Sequence, residues 1–146
     1  IEWMRMDHRC QAIAIEANPE RAENITQNSC KLGTPNLKIV TDKAPSILST
    51  LPTPDAIFIG GGITSKGMVK QCWDFLRAGG CLVANVVTTE GEEEVLKNQK
   101  KLGGHLTRIS ISNLEKIGSK KAWRPSMQVT QWKVKKPIQM LRESIK

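Results

Sequence analysis

The chain has 146 residues, of which 39% are hydrophobic and 25% are charged, and its formal net charge is +8. This composition excludes a low-complexity chain and a transmembrane helix, because no apolar run approaches the ~20 residues that a bilayer span needs. The charge is uneven: residues 97–146 hold 13 Lys or Arg against 2 Asp or Glu. That excess indicates an anionic partner, unless these cations are only solvated surface and tail.

The length and the cysteine pattern indicate one cytoplasmic domain. The four cysteines form no CxxC pair and have no histidine at ligand spacing, so we expect free, mostly buried thiols, a reducing compartment and no metal site. No signal-peptide pattern is visible. We predict a single domain over residues 1–135, followed by a basic tail over 136–146.

Apolar periodicity and capping signals predict strands that alternate with helices. In chain order the predicted elements are a helical piece at 1–6, a strand at 11–15, a helix from Asn18 to Gly33, a strand at 37–40, a short helix at 44–51, a strand at 56–59, a helix from Ser65 to Gly79, a strand at 81–87, a helix from Thr89 to Gly103, and strands at 106–112 and 129–134. Only a loop is expected between the last two strands, so they should pair antiparallel. Thr89 and Glu92 have the spacing of a capping box.

The run from Asp55 to Gly62 marks a ligand site. An apolar strand enters three consecutive glycines, Gly60, Gly61 and Gly62. Glycine has no Cβ and therefore allows a ligand to approach the backbone closely. Ligands of open α/β sheets bind at the carboxyl ends of the strands. We predict that these glycines form the floor of a cofactor or substrate site.

Glu16 follows an apolar strand by one residue, where a carboxylate can accept hydrogen bonds from both hydroxyls of a ribose. The alternative is a surface acid that precedes a helix. A glycine-rich loop should precede such a residue by about 20 positions, but the residues before Glu16 contain no glycine. Either the chain does not bind a nucleotide, or the first strand and its glycine loop lie upstream of Ile1; the helical piece at 1–6, which has no N-cap, favours the second.

Two further strand ends carry polar residues. Asp42 or the amide of Ala44 is placed to recognise an adenine edge, although Asp42 is also a plausible helix cap. Asn85 stands in a strand made otherwise of apolar residues, and a buried amide needs a partner, either a ligand or a structural group.

The predicted loop at 116–125 combines cations with an aromatic ring. Lys120, Lys121 and Arg124 surround Trp123, a mixture that suits nucleic acid or an acidic planar ligand; the alternative is a solvated hairpin loop. His8 and His105 are isolated, and Glu92, Glu93 and Glu94 are interpreted as a solvated helix start. No catalytic residue is predicted.

Several segments together resemble one enzyme family, the precorrin methyltransferases of cobalamin synthesis. The matching segments are Ala44-Pro45, Leu51-Pro52, Pro54–Gly62, Gly79–Asn85, Val87-Thr88 with Glu90, Arg108-Ile109 and Val129–Trp132. The resemblance is greatest to the decarboxylating C15-methyltransferases that act on precorrin-6Y or precorrin-8W. This enzyme also occurs as the C-terminal half of a fused precorrin-6Y C5,C15-methyltransferase.

The resemblance implies a Rossmann-like class I S-adenosylmethionine-dependent methyltransferase fold, α/β, with a mostly parallel sheet and an antiparallel last strand. It implies S-adenosylmethionine as cofactor, a precorrin tetrapyrrole as substrate, methylation with decarboxylation, and a homo-oligomer, commonly a tetramer. No membrane or nucleic-acid partner is expected. The implied cofactor residues are Glu16, Ala17, Lys43, Ala44 and Gly60; the implied substrate residues are Gly61, Gly62, Asn85, Lys120, Lys121 and Arg124.

Two alternatives remain at this stage. A class I methyltransferase acting on RNA or on another small molecule would use the basic C-terminal part to bind phosphates. A non-catalytic Rossmann-like binding domain is the other alternative.

Overall fold

A computed structural model describes residues 1–138 of the chain. Most of the predicted basic tail therefore lies outside the described residues. The elements are α1 (Glu2–Met6), β1 (Ile13–Ile15), α2 (Pro19–Lys31), β2 (Lys38–Val40), a 3-10 helix (Leu48–Thr50), β3 (Ala56–Ile59), α3 (Met68–Phe75), β4 (Cys81–Val86), α4 (Thr89–Leu102), β5 (His105–Ile109), β6 (Ser112–Ile117), β7 (Lys120–Pro125) and β8 (Val129–Lys135). None of the helices within residues 1–138 is long and apolar enough to cross a bilayer.

The chain divides into two compact units, Ile1–Leu51 and a second unit that begins at Pro52. In the first unit β1 and β2 pair in parallel. The connecting helix α2 starts as its sequence predicts: Asn18 Oδ1 accepts a hydrogen bond from the Arg21 amide at 3.0 Å, and Pro19 takes the first helical position. Gly33 then follows the helix with a φ of +78°, the left-handed conformation that commonly ends a helix.

The second unit contains a four-stranded sheet in the order β3-β4-β8-β5. Strands β3 and β4 are parallel, whereas β8 lies between β4 and β5 and runs antiparallel to both. A parallel pair needs a crossover, and α3 supplies it. The predicted α/β arrangement, with parallel central strands and an antiparallel last strand, is confirmed.

The core of the second unit lies beneath α4. Leu82, Ala84, Val95 and Trp132 are all 0% exposed. The indole Nε1 of Trp132 donates to the carbonyl oxygen of Gly103 at 2.9 Å. A buried indole needs such a partner, and this bond ties β8 to the end of α4.

The predicted loop over residues 116–125 is wrong. The chain forms a β-hairpin there, in which β6 and β7 pair antiparallel in a separate two-stranded sheet. Gly118 and Ser119 form the turn, and Gly118 has a φ of +60°. A two-residue turn with a left-handed glycine matches the twist of the two strands. The predicted strand at 106–112 accordingly splits into β5 and the start of β6.

Three helix starts also differ from prediction. The segment 44–51 forms only the short 3-10 helix, and α3 begins at Met68 rather than Ser65 because Gly67 adopts a φ of +78°. Thr88, not Thr89, caps α4: its hydroxyl accepts a hydrogen bond from the Gly91 amide at 3.1 Å. Thr88 has the extended backbone that an N-cap requires, whereas Thr89 is already helical.

Candidate functional site

Glu16 follows β1 directly, and its amide continues the β1-β2 pairing by donating to Val40 at 3.1 Å. Its Oε1 accepts from the Asn18 amide at 2.8 Å and from Arg21 Nη2 at 2.9 Å. These two donors, the Asn18 amide first, hold the pKa of the Glu16 carboxyl below its ordinary value. Both bonds reach Oε1. Among residues 1–138 no side-chain or backbone hydrogen bond to Oε2 accompanies them, so Oε2 is open to a ligand hydroxyl.

The segment after β2 lies at the same edge of the first unit, because Ile15 and Val40 are register partners. The Asp42 Oδ1 atom accepts from the neighbouring Lys43 amide at 2.6 Å, and Ser46 Oγ donates to the Lys43 carbonyl at 2.7 Å. The structure therefore brings Glu16 and Ala17 to the strand edge that also carries Lys43 and Ala44. Asp42 already has a local partner for one of its oxygens.

The glycine run forms the loop between β3 and α3. A Cβ on Gly60 would lie 2.9 Å from Cε1 of Phe58, whereas one on Gly61 would meet nothing within 4 Å. Gly62 has a φ of +71°, which side chains rarely adopt. Gly61 thus leaves open space beside the backbone, as a ligand-lining glycine should.

Asn85 lies at the carboxyl end of β4, next to this loop, because Ile59 pairs with Ala84. Its Oδ1 accepts a hydrogen bond from Gln131 Nε2 at 3.0 Å, and the two residues are register partners. The amide oxygen that suggested a ligand therefore has a structural partner. The amide nitrogen of Asn85 donates to no residue within 1–138 and is therefore open to a ligand.

The three candidate cations of the hairpin lie on opposite faces. Successive strand residues point to opposite faces, so Lys120 and Arg124 share one face of β7 and Lys121 lies on the other. Arg124 is also bound to Glu115 across the hairpin, at 3.2 Å. The structure therefore does not assemble these three side chains into one binding face.

One polar cluster was not anticipated from the sequence. Glu92 Oε1 accepts from Arg108 Nη2 at 2.7 Å and from the hydroxyl of Thr130, and Arg108 Nε donates to that hydroxyl at 3.3 Å. The interpretation of Glu92 as a purely solvated helix residue is wrong. The available signal was Arg108, a charged residue inside an alternating strand.

No cluster of three or more His, Cys, Asp or Glu side chains suited to a metal occurs within residues 1–138. All four cysteines are free thiols, but only Cys72 is buried, so the expectation that most of them are buried is wrong. The carboxyl-end features are therefore an oriented carboxylate in the first unit, and an open glycine loop with a polar amide in the second.

Comparison with known proteins identifies relatives along nearly the whole chain. A family model described as "Precorrin methyltransferase domain" matches residues 1–136. The chain is 48% identical over 132 residues to a precorrin-6Y C(5,15)-methyltransferase [decarboxylating] of Sinorhizobium sp., which covers 90% of this chain and 32% of that protein. The chain spans about a third of the length of the curated relatives it matches.

Two solved structures are similar in both sequence and fold. The precorrin-6Y C5,15-methyltransferase targeted domain from Corynebacterium diphtheriae has a TM-score of 0.84 at 36% identity, covering 92% of this chain and 80% of that one. The C-terminal domain of precorrin-6Y C5,15-methyltransferase from Rhodobacter capsulatus has a TM-score of 0.78 at 37% identity, covering 86% and 68%.

A more distant neighbour bears on the fold alone. The S-adenosylmethionine-dependent O-methyltransferase from Thermotoga maritima has a TM-score of 0.63 at 18% identity, covering 90% of this chain and 52% of that one. Together with the strand order β3-β4-β8-β5, this likeness confirms the predicted Rossmann-like methyltransferase fold.

Proposed function

Because the chain belongs to the precorrin methyltransferase domain family, we propose that it transfers a methyl group from S-adenosylmethionine to a carbon of a precorrin tetrapyrrole, with decarboxylation, in cobalamin biosynthesis. S-adenosylmethionine supplies a methyl group that its sulfonium already activates. The chain's own residues then have to bind, orient and exclude water rather than provide a strong base.

The cofactor part of the proposal rests on one observation in this structure, the orientation of Glu16. The Asn18 amide and Arg21 hold its Oε1 and favour the ionised carboxylate, while Oε2 is left for a ribose hydroxyl. The residues present therefore fit a nucleoside cofactor. In this proposal Glu16 and Ala17 contact the ribose, and Lys43 and Ala44 lie against the adenine; cofactor contact by Gly60 stays a prediction.

The substrate part rests on the second unit. Gly61 offers backbone next to open space, Gly62 completes the loop, and Asn85 presents its amide nitrogen at the adjacent strand end. A precorrin carries many carboxylates, and residues 97–146 carry the chain's excess of cations. Lys120 and Arg124 lie on the opposite hairpin face from Lys121, so the three residues do not act together, and we propose that the face with Lys120 and Arg124 contacts substrate.

Calorimetry with S-adenosylhomocysteine on the complete gene product tests the cofactor proposal. Wild-type protein should bind, and Glu16→Gln should weaken binding by about tenfold or more, because hydrogen bonds to a charged acceptor contribute about 1.5–3 kcal/mol. Glu20→Gln removes the same charge from an exposed position in the first turn of α2 and should leave the affinity within about twofold. Wild-type protein that does not bind S-adenosylhomocysteine would refute the methyltransferase proposal.

We also propose that the chain forms a homo-oligomer, a tetramer by family resemblance, through the hairpin. Every residue of β6 is exposed, and Leu114 and Trp123 are cross-strand partners at 51% and 69% exposure. A lone two-stranded hairpin is marginally stable in water, and a contiguous apolar patch marks an interaction site. A second copy of the same hairpin would cover this face. A cytoplasmic location remains a prediction.

A further inference from the structure

A groove runs between α4 and the strands β5 and β8, and none of the residues that line it is a predicted site residue. Its volume is about 210 Å³, and it is lined by Glu92, Leu96, Leu106, Thr107, Arg108 and Thr130. An adjoining groove of about 500 Å³ shares Glu92 and Leu96 and continues along α4 to Lys97 and Lys100. We call the two together the α4 groove; it lies entirely within the second unit.

Arg108 is held in the groove with part of its guanidinium free. Its Nη2 donates to Glu92 at 2.7 Å and its Nε donates to Thr130 at 3.3 Å. The Nη1 atom bonds no residue in the described part of the chain, and the side chain is 56% exposed. A planar guanidinium fixed on one side and open on the other is suited to a carboxylate.

The ion pair is not needed to attach the helix. Thr130 bonds Glu92 directly through its hydroxyl, so α4 is already joined to β8 without Arg108. Thr130 itself is only 6% exposed. Glu92 and Thr130 therefore act as a support that orients the Arg108 guanidinium toward the groove.

The rest of the groove supplies an apolar wall and a second cation. Leu96 and Leu106 are exposed at 45% and 39%. Glu92, Leu96 and Lys100 are spaced four residues apart and so form one stripe of α4, about 12 Å long at 1.5 Å per residue. Lys97 is paired with Glu94 at 3.3 Å, whereas Lys100 forms no ion pair within residues 1–138.

We propose that the α4 groove binds the rim of a polycarboxylate tetrapyrrole. Leu96 and Leu106 contact the apolar ring edge, Arg108 binds one peripheral carboxylate, and Lys100 binds another. The inference rests on the proposed function for the identity of the ligand. It assigns the groove on this face of the second unit to substrate docking, separately from the glycine loop.

Fluorescence titration with uroporphyrin, a tetrapyrrole with a carboxylate on every peripheral chain, tests the proposal on the complete gene product. Arg108→Gln should raise the dissociation constant about tenfold or more, and Lys100→Gln about threefold. The matched control is Lys101→Gln, which removes the same charge from the neighbouring, exposed position of α4 outside the groove and should stay within about twofold. Arg108→Lys keeps the charge but lacks the planar guanidinium, so its dissociation constant should lie between those of wild type and Arg108→Gln.

Circular dichroism and thermal melting of each variant establish that binding losses do not reflect unfolding. The proposal is overturned if wild-type protein does not bind uroporphyrin, if Arg108→Gln binds as wild type, or if Lys101→Gln weakens binding equally. A lower oligomer mass for Arg108→Gln would instead make the groove an interface between copies, which also overturns it.

S-adenosylhomocysteine calorimetry on the same proteins separates this inference from the proposed function. If wild-type protein does not bind the cofactor but binds uroporphyrin in an Arg108-dependent way, the methyltransferase proposal is refuted and the groove proposal stands. Retained cofactor binding by wild type, with uroporphyrin binding that does not depend on Arg108, would refute only the groove proposal.

Discussion

At the scale of single residues, Glu16 combines a local structural role with its proposed cofactor role. The Asn18 amide and the Arg21 guanidinium bind the ionised carboxylate and lower its pKa. A carboxyl whose pKa is lower in the folded state stabilises that state above its unfolded-state pKa, and the contribution is lost as the pH falls through the folded-state pKa. Protonation of Glu16 should therefore release part of the β1-α2 junction.

Glu16→Gln should lower the thermal midpoint at neutral pH, and the difference from wild type should shrink as the pH falls into the acid range below the ordinary Glu pKa. Calorimetric melting at a series of pH values measures this difference. Glu23→Gln, on the exposed surface of α2, serves as the control and should show no such trend. A difference that is constant from neutral to acid pH would contradict the assignment of the charged hydrogen bonds.

Cys72 shows how burial alone sets reactivity. It is 3% exposed inside α3, and burial raises the pKa of its thiol to about 11. Because the thiolate is the reactive species, Cys72 should be the last of the four cysteines to react with a disulfide reagent at neutral pH. Exposed Cys10 and Cys30 should react first.

Thiol counting with and without denaturant measures this order, and Cys72→Ser identifies the slow thiol. The expected result is that the variant loses the thiol that reacts only after unfolding. If native Cys72→Ser instead loses a fast-reacting thiol, the buried position assigned to Cys72 is incorrect.

At the scale of elements, Lys136 completes the end of α3. Its Nζ donates to the carbonyl oxygens of Trp73 and Leu76, each at 2.6 Å, and of Asp74 at 3.2 Å. A helix leaves its last carbonyls without intrahelical partners, and a cation there also interacts favourably with the helix dipole. The residue predicted to open a basic tail is therefore a helix cap.

Lys136→Met should lower the free energy of unfolding by about 1–2 kcal/mol, because it removes charge-assisted bonds at a helix C-terminus. Urea denaturation measures this change. Lys135→Met removes the same charge from an exposed neighbour in β8 and should change stability by less than about 0.5 kcal/mol. Equal effects of the two substitutions would show that the cap does not form.

The sequence predicted elements best where one strong local signal acted alone. Asn18 with Pro19 located the start of α2, and the apolar run at 56–59 located β3. The hairpin was missed because its Gly118-Ser119 turn was not recognised between strands that lack a buried face. For the site, the sequence predicted only that candidate residues lie at the ends of strands, not which partners they contact. The partner of Asn85 and the bonds of Glu92 depend on the antiparallel insertion of β8, which pairs residues far apart in sequence.

At the scale of the whole molecule, the hairpin has the properties of a shared surface. Neither of its strands contains a buried residue, yet Leu114 and Trp123, which are cross-strand partners on one face, are among the exposed large apolar side chains. Such a surface costs hydration free energy in a monomer, at roughly 25 cal/mol for each Å² left in water. Pairing with an identical hairpin would remove this apolar area from water on both copies at once.

Trp123→Glu places a charge at the centre of this face and should shift the protein to a lower molecular mass in light scattering coupled to size exclusion. Trp3→Glu is the matched control: it makes the same substitution at a 47% exposed tryptophan in the first unit, and it should leave the mass unchanged. S-adenosylhomocysteine binding by Trp123→Glu should persist, because the cofactor residues proposed here do not lie on the hairpin. A wild-type protein that is monomeric at micromolar concentration, or a Trp123→Glu variant with wild-type mass, would rule out the hairpin as the subunit interface.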